Sequence, residues 1–455
     1  MTSTDSDETD KSKLPEGVKT ILNELKKSPA FAMSRGGREL FHTNFLAFIL
    51  EEATVKGNEE TYTQHVKKAL LAKFFGGSNI PTNVLVFREK SNLDLIIVPI
   101  DHLPALSEEN EIGKDGQVST DSVDLTICIV EAKLKSIPTK NQLISYSKKL
   151  DATITIDLND DNDSKLQIKK PTKNNNERKV IIKNSLGDEK VYGFKTIEYK
   201  CLLLAPESFL IDKVEEFKWS NLNWKCLLCD IDELNIECKR EDENHLLNTF
   251  VSDYVTSTRL VIDLIKKVTE TVDKFVDNNE INLDALHKFT IDSFFKKLKL
   301  HDLVGKVAYE YLAKKIHQTI PKSSNEIVSY QAFMTNSTPG FQIEYSKLDD
   351  KKQCGFGVQL QGTDYRHFVR RSYIDDGSQL AECLDTKIKN WMASDGNKGP
   401  KSNSDDFKKF NINKFLYKSR TAEKYSFEDL HSALMKSLNV DSYDDWLNNI
   451  SSTKP

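Results

Sequence analysis

Val123-Asp-Leu-Thr-Ile-Cys-Ile-Val-Glu131-Ala-Lys133 reads as a buried strand that ends in a charged pair. Ile127, Cys128, Ile129 and Val130 form an unbroken apolar run, as a central strand covered on both faces requires. Residues two apart on a strand share a face, so Glu131 and Lys133 point the same way. Gln142-Leu-Ile-Ser-Tyr146 follows, in a helix expected over Pro138–Leu150. Gln142 and Tyr146 are four apart and share a helical face.

Working outward, Val84–Glu89 and Leu93–Val98 read as two further strands, the second closed by Pro99. Asp94 sits among aliphatics on that second strand. A carboxylate there is costly unless it is paired or bound to a cation. Earlier still, Glu39–Glu52 reads as a helix of high apolar density, with Glu39, His42 and Asn44 near its start. Glu-x-Lys is uninformative alone: it occurs six times, starting at Glu24, Glu131, Glu177, Glu198, Glu216 and Glu237. Only Glu131 has an acid on a clean preceding strand and a Gln/Tyr helix after it.

This set has a chemical logic. Asp94 and Glu131 offer hard oxygen ligands suited to Mg²⁺ or Mn²⁺, and the backbone carbonyl of Ala132 can complete the shell. A divalent ion so held acidifies water and neutralises charge that builds on a phosphate. Lys133 is a compact cation for the attacking water or the phosphate. Gln142 and Tyr146 would orient Lys133, the substrate backbone or the metal shell. Glu39 and His42, one helical turn apart, would add a ligand or contact substrate from the opposite side.

Glu39-Leu-Phe-His42, Glu89 to Asp94, Glu131-Ala-Lys133 and Gln142-Leu-Ile-Ser-Tyr146, in that order, resemble the PD-(D/E)XK nuclease superfamily. Within it they look like the RecB-like branch and the bacterial proteins known only as PD-(D/E)XK family members. The resemblance covers roughly residues 35–230. It implies an α/β, restriction-endonuclease-like αβββαβ core with a mixed central sheet. It also implies a divalent metal and phosphodiester hydrolysis. By likeness, Asp94 and Glu131 take the metal-ligand role and Lys133 the catalytic role. Several members serve bacterial anti-phage defence, which sets the corresponding expectation here.

The remaining chain suggests a multidomain protein, since 455 residues exceed one ordinary domain. Residues 1–13 are charged and expected to be disordered. Residues 14–240 would form the nuclease-like domain, with insertions at 101–121 and 157–195. Of the second insertion, 157–179 reads as a low-complexity polar loop and 180–194 as a hairpin. A helical region over 241–320 and a C-terminal α+β domain over 321–455 follow, the latter for substrate or partner contacts. There, Arg366 and Arg370 lie in a basic cluster with Tyr365 and Phe368 that suits nucleic-acid phosphates or, equally, a solvated strand edge.

Composition narrows the field less. The net charge of −5, from 64 basic and 69 acidic residues, does not advertise a nucleic-acid binder, though a local basic groove matters more than the total. Seven scattered cysteines suit a reducing compartment. Cys226 and Cys229 form a CxxC without a second pair nearby, so buried apolar thiols on a short strand at Trp224–Asp230 are the favoured reading over zinc. No apolar run approaches a membrane span and the N-terminus is unlike a signal peptide, so a cytoplasmic protein is expected.

The expectation is therefore a Mg²⁺- or Mn²⁺-dependent nuclease, a phosphodiester hydrolase acting on DNA ahead of RNA, as an endonuclease or an exonuclease. A regulatory protein partner that restrains it, or a homo-oligomer, is the further expectation. The alternative is a non-catalytic nucleic-acid- or protein-binding regulatory protein on the same fold. In that case Glu131 and Lys133 form an ordinary strand-end ion pair, and His42 is a satisfied helix histidine.

Overall fold

The computed structural model describes residues 14–37, 39–52, 61–76, 80–90, 93–99, 101–102, 124–134, 140–151, 155–156, 165–169, 178–183, 189–194, 196–207, 210–211, 214–233, 245–277, 280–319, 327–346, 354–362, 364–371, 408–410 and 415–421. The sequence pattern also predicts helices over 377–392 and 427–438; these, residues 1–13 and most of 101–121 lie outside the described residues. The fold is mixed α/β. The chain divides into two compact units, Asn23–Asp263 and Met1–Leu22 with Leu264–Pro455.

The first unit opens with helices α1 (Glu16–Lys27, begun in the other unit), α2 (Pro29–Gly37), α3 (Glu39–Glu52) and α4 (Tyr62–Phe75). Ser28 caps α2 by accepting the Phe31 N–H at 3.0 Å. The sequence predicts a break at Ser34–Arg38, yet α2 continues through Gly37. Helix α3 buries Phe45, Leu46, Ala47, Ile49 and Leu50 and packs on the sheet. A capping box between Thr61 and Gln64 starts α4, and Gly76 at φ 68° ends it.

Strands β1 (Val84–Lys90), β2 (Leu93–Pro99) and β3 (Asp124–Ala132) run antiparallel in sequence order. Helix α5 (Lys140–Asp151) comes next. After it stand four short strands, β4 (Thr155–Ile156), β5 (Lys165–Lys169), β6 (Arg178–Lys183) and β7 (Glu189–Phe194), in a separate antiparallel sheet. Strand β5 replaces part of the expected polar loop, and β6–β7 form the expected hairpin. Strand β8 (Thr196–Ala205) then pairs parallel to β3, and β9 (Trp219–Asn223) parallel to β8. A parallel pair needs a long crossover, which α5 and the inserted sheet provide. The result is a five-stranded mixed sheet of order β1-β2-β3-β8-β9. Its centre is fully apolar: Leu95, Ile97, Ile127, Ile129, Val130, Leu203 and Leu204 are buried.

Helix α6 (Trp224–Glu233) corrects the strand expected at Trp224–Asp230. Trp224, Leu227 and Leu228 fall at helical spacing and are buried, and Asn223 Oδ1 accepts the Lys225 N–H at 2.8 Å as an N-cap. Helix α7 (His245–Lys274) spans the boundary between the units. Near its start Asp253 accepts from the Ser28 hydroxyl at 3.0 Å and the Ala30 N–H at 2.8 Å.

The second unit holds a short hairpin, β10 (Val276–Asp277) and β11 (Glu280–Ile281), then helices α8 (Leu283–Thr290), α9 (Ser293–Lys297) and α10 (His301–Thr319). These helices fall within the region expected to be helical over 241–320. Strands β12 (Ile327–Thr335), β13 (Thr338–Ser346), β14 (Cys354–Gln361), β15 (Asp364–Arg371), β16 (Lys408–Phe410) and β17 (Phe415–Thr421) form an antiparallel sheet of order β12-β13-β14-β15-β17-β16. Asn336 (φ 50°) and Ser337 (φ 59°) make the two-residue turn between β12 and β13, both left-handed as such hairpins require. Helix α10 packs on β12 and β13 over Phe341, Ile343, Val358 and Leu360. Gly340 is needed there, because a Cβ would lie 2.4 Å from the Leu360 carbonyl oxygen. Among the described residues, no helix is long and apolar enough to cross a membrane.

Candidate active site

The register of β2 against β3 sets the site. Leu95 pairs with Val130, Ile96 with Ile129 and Ile97 with Cys128. One step further along that register, Asp94 comes opposite Glu131. Directly opposed residues share a face, so the two carboxylates lie on the same side of the sheet. The ladder stops at Leu95–Val130, although both strands continue. In the notch this leaves, Asp94 Oδ2 accepts the Ala132 backbone N–H at 3.0 Å. A strand residue turns its N–H and C=O to the same edge, so the Ala132 carbonyl faces the Asp94 side as well.

Lys133 lies just beyond β3, where its N–H still bonds the Leu204 carbonyl of β8 at 2.8 Å. The side chain returns to the carboxylates, with Nζ 2.7 Å from Glu131 Oε1 and 3.2 Å from Asp94 Oδ2. On the far side, the Lys133 carbonyl accepts the indole N–H of Trp224 at 3.1 Å. Trp224 is fully buried on α6, and no spacing signal in the sequence marks it as a support of the site.

Helix α5 brings the remaining pair. Gln142 Nε2 donates to Glu131 Oε1 at 2.6 Å and to the Tyr146 hydroxyl at 2.7 Å. Deeper in the same helix Ser147 accepts the Trp219 indole N–H at 3.0 Å, which ties α5 to β9. The Tyr146 ring leans on Trp219, centroid to centroid 6.3 Å. Burial raises the Tyr146 phenol above its usual range, so it stays a neutral donor and acceptor.

Electrostatics follow from this packing. Glu131 is 1 % exposed and its Oε2 is buried without a hydrogen-bond partner. Burial pushes the Glu131 carboxyl above the usual carboxylate range; the Lys133 ammonium opposes that shift and the Asp94 charge adds to it. Two carboxylates share one ammonium, which leaves the site a unit of positive charge short when both ionise. An orphaned acid oxygen, a second carboxylate on the same face and a carbonyl at the same edge form a hard-oxygen set that fits a divalent cation. Among the described residues, no group of three or more His, Cys, Asp and Glu side chains could hold a metal, so this set relies on two acids and backbone.

The structure thus gathers Asp94, Glu131, Ala132, Lys133, Gln142 and Tyr146. His42 is elsewhere employed: it is 4 % exposed, with Nδ1 3.2 Å from the Tyr254 hydroxyl, in an aromatic packing with Phe41, Phe45 and Tyr254. Glu39 stands on α3 and Glu89 on β1, but their side chains lie outside the described residues. Arg366 and Arg370 belong to the other unit, on β15. Arg366 donates to Gln359 Oε1 at 3.1 Å, and the Arg370 side chain lies outside the described residues. Cys226 and Cys229 are exposed free thiols on α6, not the buried pair expected, because the helix turns Trp224, Leu227 and Leu228 inward instead. No family model, no curated protein and no solved structure matches the chain.

Proposed function

We propose that this chain is a divalent-metal-dependent nuclease that hydrolyses phosphodiester bonds, with DNA as its substrate. One observation carries the reading: Asp94, Glu131, Lys133, Gln142 and Tyr146, from two strands and a helix, converge where β2 and β3 part. The sheet order, with antiparallel β1–β3 and a helical crossover into parallel β8, supports a restriction-endonuclease-like αβββαβ core.

In this reading Asp94 and Glu131, with the Ala132 carbonyl, hold Mg²⁺ or Mn²⁺. The ion, when bound, supplies acidified water and neutralises charge on the phosphate. Glu131 presents its unpartnered Oε2 while Gln142 fixes Oε1. Tyr146 in turn fixes the Gln142 amide. Lys133 has its backbone clamped by Leu204 and Trp224, so its ammonium stays over the acids and is placed to hold water or a phosphate oxygen. Action in a reducing cytoplasm agrees with the unbridged Cys128, Cys201, Cys226 and Cys229.

The second reading is a non-catalytic binding protein on the same sheet. The contacts of Lys133 Nζ with both carboxylates favour it, because an ammonium there satisfies the acids without a metal. Incubation of the chain with Mg²⁺ and supercoiled plasmid, beside Glu131→Ala and Lys133→Ala, separates the two. The nuclease reading expects nicking by the wild type alone. Three equally inert proteins, on DNA and RNA alike, would favour the binding reading.

A further inference from the structure

The sequence singles out Cys226-Leu-Leu-Cys229, and nothing proposed for the acids uses it. Helix α6 turns Trp224, Leu227 and Leu228 inward, so both thiols stand on its solvent side. Residues three apart on a helix are neighbours, with Cβ atoms about 5–6 Å apart. A free cysteine is ordinarily among the most buried of residues, as Cys128 and Cys201 are here. Burial pushes the Cys128 thiol up, and the Cys201 thiol up to about 12, so neither supplies a thiolate near neutrality. The exposed pair on α6 is of the other kind.

This pair suits a disulfide better than a metal. Zinc takes four ligands, and among the described residues no group of three or more His, Cys, Asp and Glu side chains could hold an ion. A disulfide needs only the two sulfurs, with Cβ atoms about 3.5–4.5 Å apart. The helix turn must therefore tighten by about 1–2 Å. Cys226 lies in the first turn of α6, where N–H groups have no acceptor within the helix. It can move toward Cys229 without its own N–H leaving the helix ladder. A bond closed against the relaxed helix geometry is readily reduced, which makes it reversible rather than a permanent staple.

We propose that Cys226 and Cys229 form a redox-active dithiol that exchanges with low-molecular-weight disulfides. One cysteine, as its thiolate, attacks a sulfur of the small disulfide; that S–S bond breaks and one small thiolate leaves. The other cysteine gives its proton to water and attacks the mixed disulfide at the protein sulfur, expelling the second small thiolate. The protein pair loses two electrons and two protons, and the small disulfide is reduced to two thiols. This chemistry stands apart from the nuclease reading and needs neither metal nor nucleic acid.

The test equilibrates the full chain in mixtures of glutathione and glutathione disulfide, quenches with acid, alkylates the remaining thiols and maps the cysteines by mass spectrometry. Cys226 and Cys229 should leave the alkylated pool together, as one internal disulfide, and return to it in excess dithiothreitol. Passing from one-tenth to nine-tenths closed should take about a hundredfold change in the ratio of glutathione disulfide to the square of glutathione, the span of a single two-electron couple. Buried Cys128 and Cys201 should stay reduced throughout. Cys226→Ser and Cys229→Ser, at exposed positions that tolerate a hydroxyl, should each stop at a mixed disulfide with glutathione on the remaining cysteine. Thermal melting beside wild type checks that both variants fold; if either does not, the wild-type map decides alone. Thiols that stay reduced across the series, a glutathione on each cysteine with no internal bond, or a bond from either one to Cys238 or to a second chain overturns the proposal.

Discussion

Asp94 Oδ2 accepts the backbone N–H of Ala132 at 3.0 Å, so a side chain takes the place of the strand partner that β2 would otherwise offer β3. The substitution opens the sheet at its polar end without leaving a buried N–H unpaired. It also fixes the distance between the two acids, because Asp94 is anchored on the residue next to Glu131. Everything proposed for the site depends on this notch.

Gln142 is a positioning residue in this arrangement, since it touches Glu131 and not the notch opening. Gln142→Ala should lower DNA cleavage by about 10- to 100-fold, the usual cost of losing a partner that orients a ligand. Tyr146→Phe should cost less, because Gln142 keeps its bond to Glu131. If both variants cleave at the wild-type rate at every Mg²⁺ concentration, these roles are wrong.

Trp224 holds the Lys133 carbonyl from beneath. Trp224→Phe keeps most of the packing but strips a buried carbonyl of its donor, and should destabilise by about 1–3 kcal/mol. Urea unfolding of the two proteins, compared at their midpoints, measures it. An unchanged midpoint would mean that the hydrogen bond contributes nothing.

His42 behaves as a packing residue. His42→Ala should lower the melting temperature, by loss of packing and of a partner for the Tyr254 hydroxyl worth about 1–3 kcal/mol. The affinity of the folded protein for DNA should stay the same. A variant that melts like wild type but binds DNA more weakly would return His42 to the substrate-contact role that sequence order suggests.

Glu310, on α10 in the other unit, accepts the Ala332 N–H at 2.8 Å. Burial raises its carboxyl to about 7, against a weaker opposing pull from that hydrogen bond and from Lys314. A carboxyl whose folded pKa lies above its unfolded one binds its proton more tightly in the native state. Its contribution is full below the unfolded value and is lost as pH rises through about 7. Thermal unfolding at pH 5 and pH 8 should therefore show a loss of stability that Glu310→Gln reduces. The glutamine keeps an acceptor for Ala332 and carries no charge. Equal pH dependence in both proteins would contradict the assignment.

Much of the site is legible in sequence because strand period 2 and helix period 3.6 carry it. Glu131 with Lys133, and Gln142 with Tyr146, are local pairs. Asp94 is less so, since a one-residue slip of β2 would send it to the other face. Only the Leu95–Val130 register sets its side. Trp224–Asp230 is a short apolar run, which strand and helix patterns fit alike. Strand β5 is hidden because Lys-Leu-Gln-Ile-Lys lies amid Asn, Asp and Lys. Its partner β6 lies some ten residues downstream, beyond the reach of a local pattern. His42 shows the limit of motif order: its place in the chain suits a site, while its burial against Tyr254 assigns it to the packing of α3 and α7.

Calorimetric titration of Mn²⁺ into the full chain tests the central claim most directly, because it needs no substrate or partner. The account predicts one ion per chain, with binding lost or weakened at least about tenfold in Asp94→Asn and in Glu131→Gln. Lys133→Ala should bind the ion as tightly as wild type or more tightly, since it removes the ammonium that competes for the same acids, and still fail to cleave DNA. Absence of binding to wild type, or equal binding by all four proteins, would contradict a cation site at Asp94 and Glu131.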